Sequence, residues 1–257
     1  MGTTRDQRYS RFLEMIELQK QLNSMSAGSG WCSGTTNEGR KIRWRLAASM
    51  EMSELIDSYP WKHWKSLNGE IDIQNAKVEA IDIFHFLLSE FIQVSKSIFF
   101  NNYEFKKYIS TYIAPQLDRS FEAGKSRREE ISHTASINDN GNEIDDIIDY
   151  FELFQSYIHN DEFDTQKGIL DTLELCGFLG FDFNSLYSLY VGKNTLNIFR
   201  QQNGYKDGDY LKTWEDNKED NVVMQEIVAD LESTNNLSSI TLLAELQYKY
   251  EQVLSSI

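Results

Sequence analysis

Apolar residues recur at helical spacing along nearly the whole chain, and two prolines, Pro60 and Pro115, are all that 257 residues contain. Proline breaks helices and strict alternation marks strands; the first is rare here and the second is nowhere convincing. The expected fold is therefore all-α, a multi-helix bundle. Tyr9, Phe12, Leu13 and Ile16 follow i, i+3, i+4, i+7 and place a first amphipathic helix at about residues 5–25. A Gly/Ser-rich loop, SAGSGWCSGTTNEG (26–39), follows it. A second helix is expected from about Ile42 to Asp57, because Pro60 disfavours helical geometry at Tyr59. A third starts near Ile73 with Asp72 as its cap and carries Ile81, Phe84, His85, Leu88 and Phe91 on its inner side.

Residues 99–141 read as polar and turn-rich, with KSRREE (125–130) and NDNGN (138–142), the pattern of a surface insertion rather than of core. Helical spacing resumes at Ile144, Ile147, Ile148, Phe151, Phe154 and Ile158, and again at Ile169, Leu170 and Leu173. Asp182 can cap a further helix to about Arg200, and two last helices are expected at about 221–232 and 238–255. The organisation that results is one domain over 1–257, with a variable insertion at about 99–165.

Asp plus Glu outnumber Lys plus Arg by 40 to 25, a formal charge of −15. Such a balance argues against a nucleic-acid partner gripped through its phosphates, and any phosphate chemistry here needs cations. Hydrophobic residues at 40% and aromatics at 13% exclude a disordered acidic chain. No run reaches the ~20 apolar residues of a membrane span, and the start, MGTTRDQRYS, lacks a signal peptide's apolar stretch, so a cytoplasmic protein with no membrane partner is expected. Cys32 and Cys176 have no metal or disulfide spacing and read as two reduced thiols.

Two acidic motifs carry the most chemistry: Glu51-x-x-Glu54 on the second helix and Glu79-x-x-Asp82 on the third. A step of three on a helix keeps each pair on one face. Ala47, Met50, Glu51 and Glu54 form one stripe and Val78, Ile81 and Asp82 another, and both stripes are read as inward. Antiparallel packing across the intervening turn of about 15 residues would then gather four carboxylates. Partly buried, they repel one another unless protonated or neutralised. Oxygen-only ligands point to a hard cation, Mg²⁺ with Mn²⁺ as substitute. One such pair alone is commonplace on a solvated face; two on adjacent helices favour the metal reading. A further series, Asp145, Asp149 and Glu152, has no partner helix and reads as a solvated face.

Polar residues also continue apolar stripes. Phe12 and Ile16 lead on one face to Gln19 and Asn23, whose carboxamides can read a base edge or a sugar hydroxyl, unless the stripe simply ends there. Leu186 and Tyr190 lead to Lys193, Asn197 and Arg200. Beyond lies RQQNGYKDGDYLKTWEDNKEDN (200–221), in which Gly204 and Gly208 give mobility and Tyr205, Lys206, Lys212 and Lys218 offer donors. The segment can close over polyphosphate, or, with Asp207, Asp209, Glu215 and Asp216 interspersed, be an ordinary charged loop. In DSYPWKHWK (57–65), Trp61 and Trp64 can stack on a base and Lys62 meet a phosphate, or the tryptophans can plug the turn over the core. Neither His63 nor His85 has metal-ligand spacing, and His85 reads as a satisfied inner-face histidine.

The runs MEMSELIDSYPWKHWK (50–65), NAKVEAIDIFHFLLS (75–89) and VGKNTLNIFRQQNGYKDGDYLKTW with KEDN (191–214, 218–221) closely resemble the dimeric dUTPases, members of the all-α nucleoside triphosphate pyrophosphohydrolases. The paired acidic motifs alone indicate that superfamily; GKNTLNIFRQ-x-NGYK is specific to the dUTPase branch. The resemblance implies a homodimer that hydrolyses dUTP, and dUDP, to dUMP, by attack on the β-phosphorus. It implies Mg²⁺ bound by Glu51, Glu54, Glu79 and Asp82, with Glu51 or Glu54 as general base. Gln19, Asn23 and the turn of Trp61, Lys62 and Trp64 would form the uracil and deoxyribose pocket, with His85 and Asn197 on the sugar. Lys193, Arg200, Tyr205, Lys212, Lys218 and Asn221 would reach the phosphates. Alternatives on the same scaffold are a dCTP or broad-specificity pyrophosphatase and a non-catalytic, nucleotide-responsive regulator.

Overall fold

The computed structural model describes residues 4–65, 69–137, 142–214 and 217–255. Every helix and strand-forming segment among them that is longer than an isolated bridge is helical, which bears out the all-α expectation; the bridges are Thr35 to Lys41 and Thr213 to Glu219. Helix α1 spans Arg5–Ala27, opened by a Thr4 and Gln7 capping box. It is followed by α2 (Trp44–Asp57) and α3 (Ile73–Ile98), the latter capped by Asp72, which accepts from the Asn75 amide at 2.9 Å. Next come α4 (Asn102–Tyr108), α5 (Leu117–Ile137), α6 (Glu143–His159), α7 (Thr165–Phe178) and α8 (Phe183–Gln202). A capping box of Asp182 and Ser185 starts α8. Helices α9 (Asp220–Ser233) and α10 (Ser239–Ser255) close the chain.

The expectation of a turn-rich stretch at 99–141 is corrected: α4 and α5 occupy most of it, and it contributes core. Phe105, Ile109, Ile113, Leu117 and Phe121 are all buried and advance by four, so one apolar stripe runs through a segment that is otherwise largely polar and exposed. Pro115 sits in the short turn Ala114–Gln116 between two helices, where its missing N–H costs little. Of the NDNGN run, residues 138–141 lie outside the described residues. The acidic series Asp145, Asp149 and Glu152 is exposed, as expected of a solvated face.

Two hydrophobic clusters organise the molecule. The larger gathers α1, α2, α3, α6, α7 and the first half of α8 around Phe12, Met52, Phe84, Phe151, Phe178 and Tyr190. The smaller, around Leu196, Phe199, Tyr210, Trp214, Met224 and Tyr250, joins the second half of α8 to α9 and α10. Helix α8 thus belongs to both and carries its polar stripe past the boundary. Cys32 and Cys176 are free thiols, and burial holds that of Cys176 well above the usual range. No described helix is long and apolar enough to cross a membrane.

Candidate active site

Contacts at both ends set α2 antiparallel to α3. At the connecting end the Asp72 amide donates to the Ser58 carbonyl at 2.9 Å and Asn75 Nδ2 to Ser58 Oγ at 2.9 Å. At the far end Trp44 Nε1 donates to Gln93 Oε1 at 2.8 Å, and Arg45 lies 3.7 Å from Glu90. The buried face of α2 is Ala48, Met52, Leu55 and Ile56 rather than the expected inward stripe of Ala47, Met50, Glu51 and Glu54, of which Met50 is 57% exposed and Glu54 exposed. Ala48, Met52 and Leu55 keep helical spacing while bringing the larger apolar area to α3, which displaces the acidic stripe to the rim of the packed face. On α3, Glu79 is buried and Asp82 half-buried.

The rim position still brings acids together. Glu51, Glu79 and Asp82 each offer a carboxylate oxygen within 4.8 Å of the others, while Glu54 stands outside this triad. Burial, then the charges of Asp82, Glu54 and Glu79, raise Glu51 well above the usual carboxylate range; burial, then Asp82 and Glu54, raise Glu79. Only a cation or a proton relieves that repulsion, and an all-oxygen donor set suits a hard divalent ion. One cation comes from the chain itself: Lys193 of α8, buried, places Nζ 2.8 Å from Asp82 Oδ2 and 3.4 Å from Asn221 Oδ1.

Two turns further along α8, Arg200 donates through Nε and Nη2 to the two oxygens of Asp220, at 2.8 and 2.7 Å, and through Nη1 to Asn197 Oδ1 at 3.1 Å. Asp220 is 1% exposed and also accepts from the Tyr210 hydroxyl at 2.8 Å. Burial and the adjacent Asp220 keep that phenol protonated, a donor throughout the physiological range. Arg200 and Lys212 both lie over the Tyr205 ring, 5.8 and 5.6 Å from its centroid. Gly204 and Gly208, with φ of +82° and +86°, bracket the turn that presents Tyr205. Tyr210 and Trp214 then tuck into the smaller cluster, so the basic segment is pinned at both residues. Lys218 pairs with Glu226 at 2.6 Å, and Lys206 with Glu38 at 3.3 Å; Glu215 and Asp216 lie outside the described residues.

Gln19, Asn23 and His85 form a third group, deeply buried between α1, α3 and α8. Gln19 Nε2 donates to Asn23 Oδ1 at 3.0 Å and to Ser89 Oγ at 2.9 Å. Gln19 Oε1 receives the Tyr190 hydroxyl at 2.8 Å and faces His85 Nδ1 at 2.6 Å. The His85 ring stacks on Tyr190 with centroids 4.3 Å apart. Burial, then the charge of Lys193, push His85 down to about 3, so the ring is neutral. The reading of His85 as fully satisfied is corrected: Nδ1 is paired, but Nε2 has no hydrogen-bond partner among the described residues, nor has Asn194 Oδ1.

The tryptophan turn makes its contacts within itself and to the end of α2. Trp61 and Trp64 meet edge to face at 5.6 Å, Trp61 Nε1 donates to Asp57 Oδ1 at 3.2 Å, and Lys62 pairs with Asp57. Trp64 is 62% exposed, so the turn presents an aromatic surface rather than plugging the core. Four residues of these networks were not singled out as site residues from the sequence: Ser89, Tyr190, Asn194 and Asp220. Each carried a signal of place only: Tyr190 as a member of the α8 stripe, and Ser89, Asn194 and Asp220 inside the runs 75–89, 191–214 and 218–221.

A comparison with known protein families matches residues 11–205 to the family described as dUTPase. The chain belongs to the dimeric, all-α dUTPase family. As a dUTPase it is an enzyme, of dUTP diphosphatase activity, and its substrate is a nucleotide. The match takes in the carboxylate cluster, Gln19, Asn23, His85, Lys193 and Arg200, and ends before Lys212, Lys218, Asp220 and Asn221. No curated protein matches the chain.

Proposed function

We propose that this dUTPase is a homodimer that converts dUTP, and dUDP, to dUMP with divalent-metal assistance, releasing pyrophosphate from dUTP. The observation that carries this reading is the triad of Glu51, Glu79 and Asp82 with Lys193 against it. Its oxygen donors fit Mg²⁺, with Mn²⁺ able to substitute; Glu51, Glu79 and Asp82 would hold the metal and Glu54 complete the set. When bound, Mg²⁺ neutralises triphosphate charge and acidifies water near the site. Glu54, solvent-exposed and outside the triad, would take the proton from the attacking water, with Glu51 as the other candidate for that base. Lys193 supports charge on the phosphate chain next to Asp82, and Arg200, fixed by Asp220 and Asn197, offers the second cation with Tyr205 and Lys212 beside it. Asn221 orients Lys193, and Lys218 flanks the segment. Gln19, Asn23 and His85 supply the polar pocket for the nucleoside, with Asn197 toward the sugar and the Trp61, Lys62 and Trp64 turn offering an exposed aromatic face for the base.

The test is pyrophosphate release from dUTP, dCTP, dTTP and UTP, each with Mg²⁺ and with excess EDTA. Metal-dependent release from dUTP, and not from the others, supports the reading. Release spread over the nucleotides would keep the metal site and sink the uracil pocket. Binding without turnover of any of them would make the chain a nucleotide-responsive regulator.

A further inference from the structure

The buried network between α1, α3 and α8 has a direction, and Ser89 sets it. Ser89 Oγ lies 2.8 Å from the carbonyl oxygen of His85, which can only accept, so the one hydroxyl proton goes there. Ser89 Oγ is then left as an acceptor. The groups facing it at 2.9 and 3.0 Å must be amide NH₂ groups, those of Gln19 and Asn23. Gln19 Nε2 gives its second proton to Asn23 Oδ1 at 3.0 Å, which turns Gln19 Oε1 toward His85 and toward the Tyr190 hydroxyl, whose one proton is shared between that oxygen at 2.8 Å and the Met15 carbonyl at 2.9 Å. A carboxamide oxygen accepts, so His85 Nδ1, 2.6 Å away, carries the ring proton and Nε2 is a bare lone pair. That lone pair is buried and has no donor among the described residues. An unpaired buried acceptor is costly, and a ligand that brings a donor relieves it.

We propose that Ser89 is a positioning residue: acting through Gln19, it holds His85 as the Nδ1–H tautomer, so that Nε2 accepts a hydrogen bond from an N–H or O–H of the bound nucleoside. The last clause rests on the nucleotide reading of the pocket; the tautomer itself does not. Two donors on a uracil deoxynucleotide fit the chemistry, the imide N3–H of the base and the 3′-hydroxyl of the sugar. Cytosine offers a lone pair at N3, so in the first case the same tautomer would reject it by setting acceptor against acceptor.

The experiment is nitrogen-15 NMR of the histidine rings in the whole protein, with the His85 signals assigned by their loss in His85→Gln. Without nucleotide, wild type should show His85 with its proton on Nδ1; a proton on Nε2 would overturn the proposal without any variant. In Ser89→Ala the Nε2–H form should appear, and KM for dUTP should rise about tenfold while kcat changes by less than about threefold, with Ser89→Thr restoring the wild-type tautomer. An unchanged ring in Ser89→Ala would remove Ser89 from the role. On adding dUMP the wild-type Nε2 signal should shift; dUMP binding seen elsewhere in the spectrum without that shift would overturn the acceptor role. Loss of the shift with N3-methyl-dUMP assigns the donor to the base, and loss with 2′,3′-dideoxyuridine monophosphate assigns it to the sugar. Absence of dUTP hydrolysis would defeat the nucleotide reading and leave the wild-type tautomer result standing.

Discussion

At the scale of single residues, the site is built from charges that burial has made dependent on one another. Arg200 and Asp220 exchange two hydrogen bonds in a place where Asp220 is 1% exposed. Asp220→Ala would leave the guanidinium buried with Asn197 as its remaining partner, at a cost of roughly 3–5 kcal/mol, read as a lower urea midpoint at unchanged slope. His85 gives a prediction in pH. Its proton affinity is depressed from 6.5 to about 3 in the folded chain, so between those values the unfolded chain binds the proton and the folded one does not. The stability tied to this group is therefore complete above about pH 6.5 and lost as the pH falls toward 3, roughly 2 kcal/mol between pH 7 and pH 5. Urea unfolding at those two pH values should show that loss in wild type and a smaller one in His85→Gln. An equal loss in both would mean that His85 is charged in the native pocket. The carboxylate pairs were legible in the sequence because each is a two-residue word on a predictable helix. The roles of Ser89 and Asp220 were not, although both lie in the runs 75–89 and 218–221, since a serine on an apolar face and an acid in a charged run acquire meaning only from partners distant in the chain.

Between elements, helix identity was legible wherever one apolar stripe dominated, as in α1, α3, α6 and α8. It failed at 99–141, where the stripe of Phe105, Ile109, Ile113, Leu117 and Phe121 is diluted by polar faces and divided by Pro115. The inward face of α2 was misread by one step for a related reason: Glu51 and Glu54 do lie beside the core, yet the packed face belongs to Ala48, Met52 and Leu55. Helices α5 and α7 show what composition hides. A Cβ on Gly177 would overlap the Phe121 carbonyl and one on Gly124 the Glu174 carbonyl, so two glycines let the helices touch backbone to backbone. Gly177→Ala must push them apart, and a loss of roughly 1–3 kcal/mol in thermal or urea unfolding is expected. A neutral or stabilising change would show that α5 is loosely attached, as an insertion without a share in the core would be.

For the whole molecule, α8 is the member that joins the three polar groups. It carries Tyr190 into the Gln19 and His85 network, Lys193 onto Asp82, and Arg200 onto Asp220, while its two halves belong to different hydrophobic clusters. In a chain of formal charge −15 these buried cations are already matched to acids, so polyphosphate binding needs added positive charge. The proposed homodimer predicts a solution mass of twice the 29.9 kDa chain by light scattering, and a monomer at micromolar concentration would contradict it. Acids from α2 and α3 are proposed to form the metal-dependent centre of this dUTPase. The most direct test is the rate of pyrophosphate release from dUTP as Mg²⁺ is titrated into metal-stripped enzyme, for wild type and for Glu79→Gln with its helical circular dichroism as the fold control. No turnover is expected without metal, with saturable activation of wild type and a folded Glu79→Gln whose rate at the same Mg²⁺ is lower by about a hundredfold or more. Full activity in excess EDTA, or a wild-type rate from Glu79→Gln, would contradict that proposal.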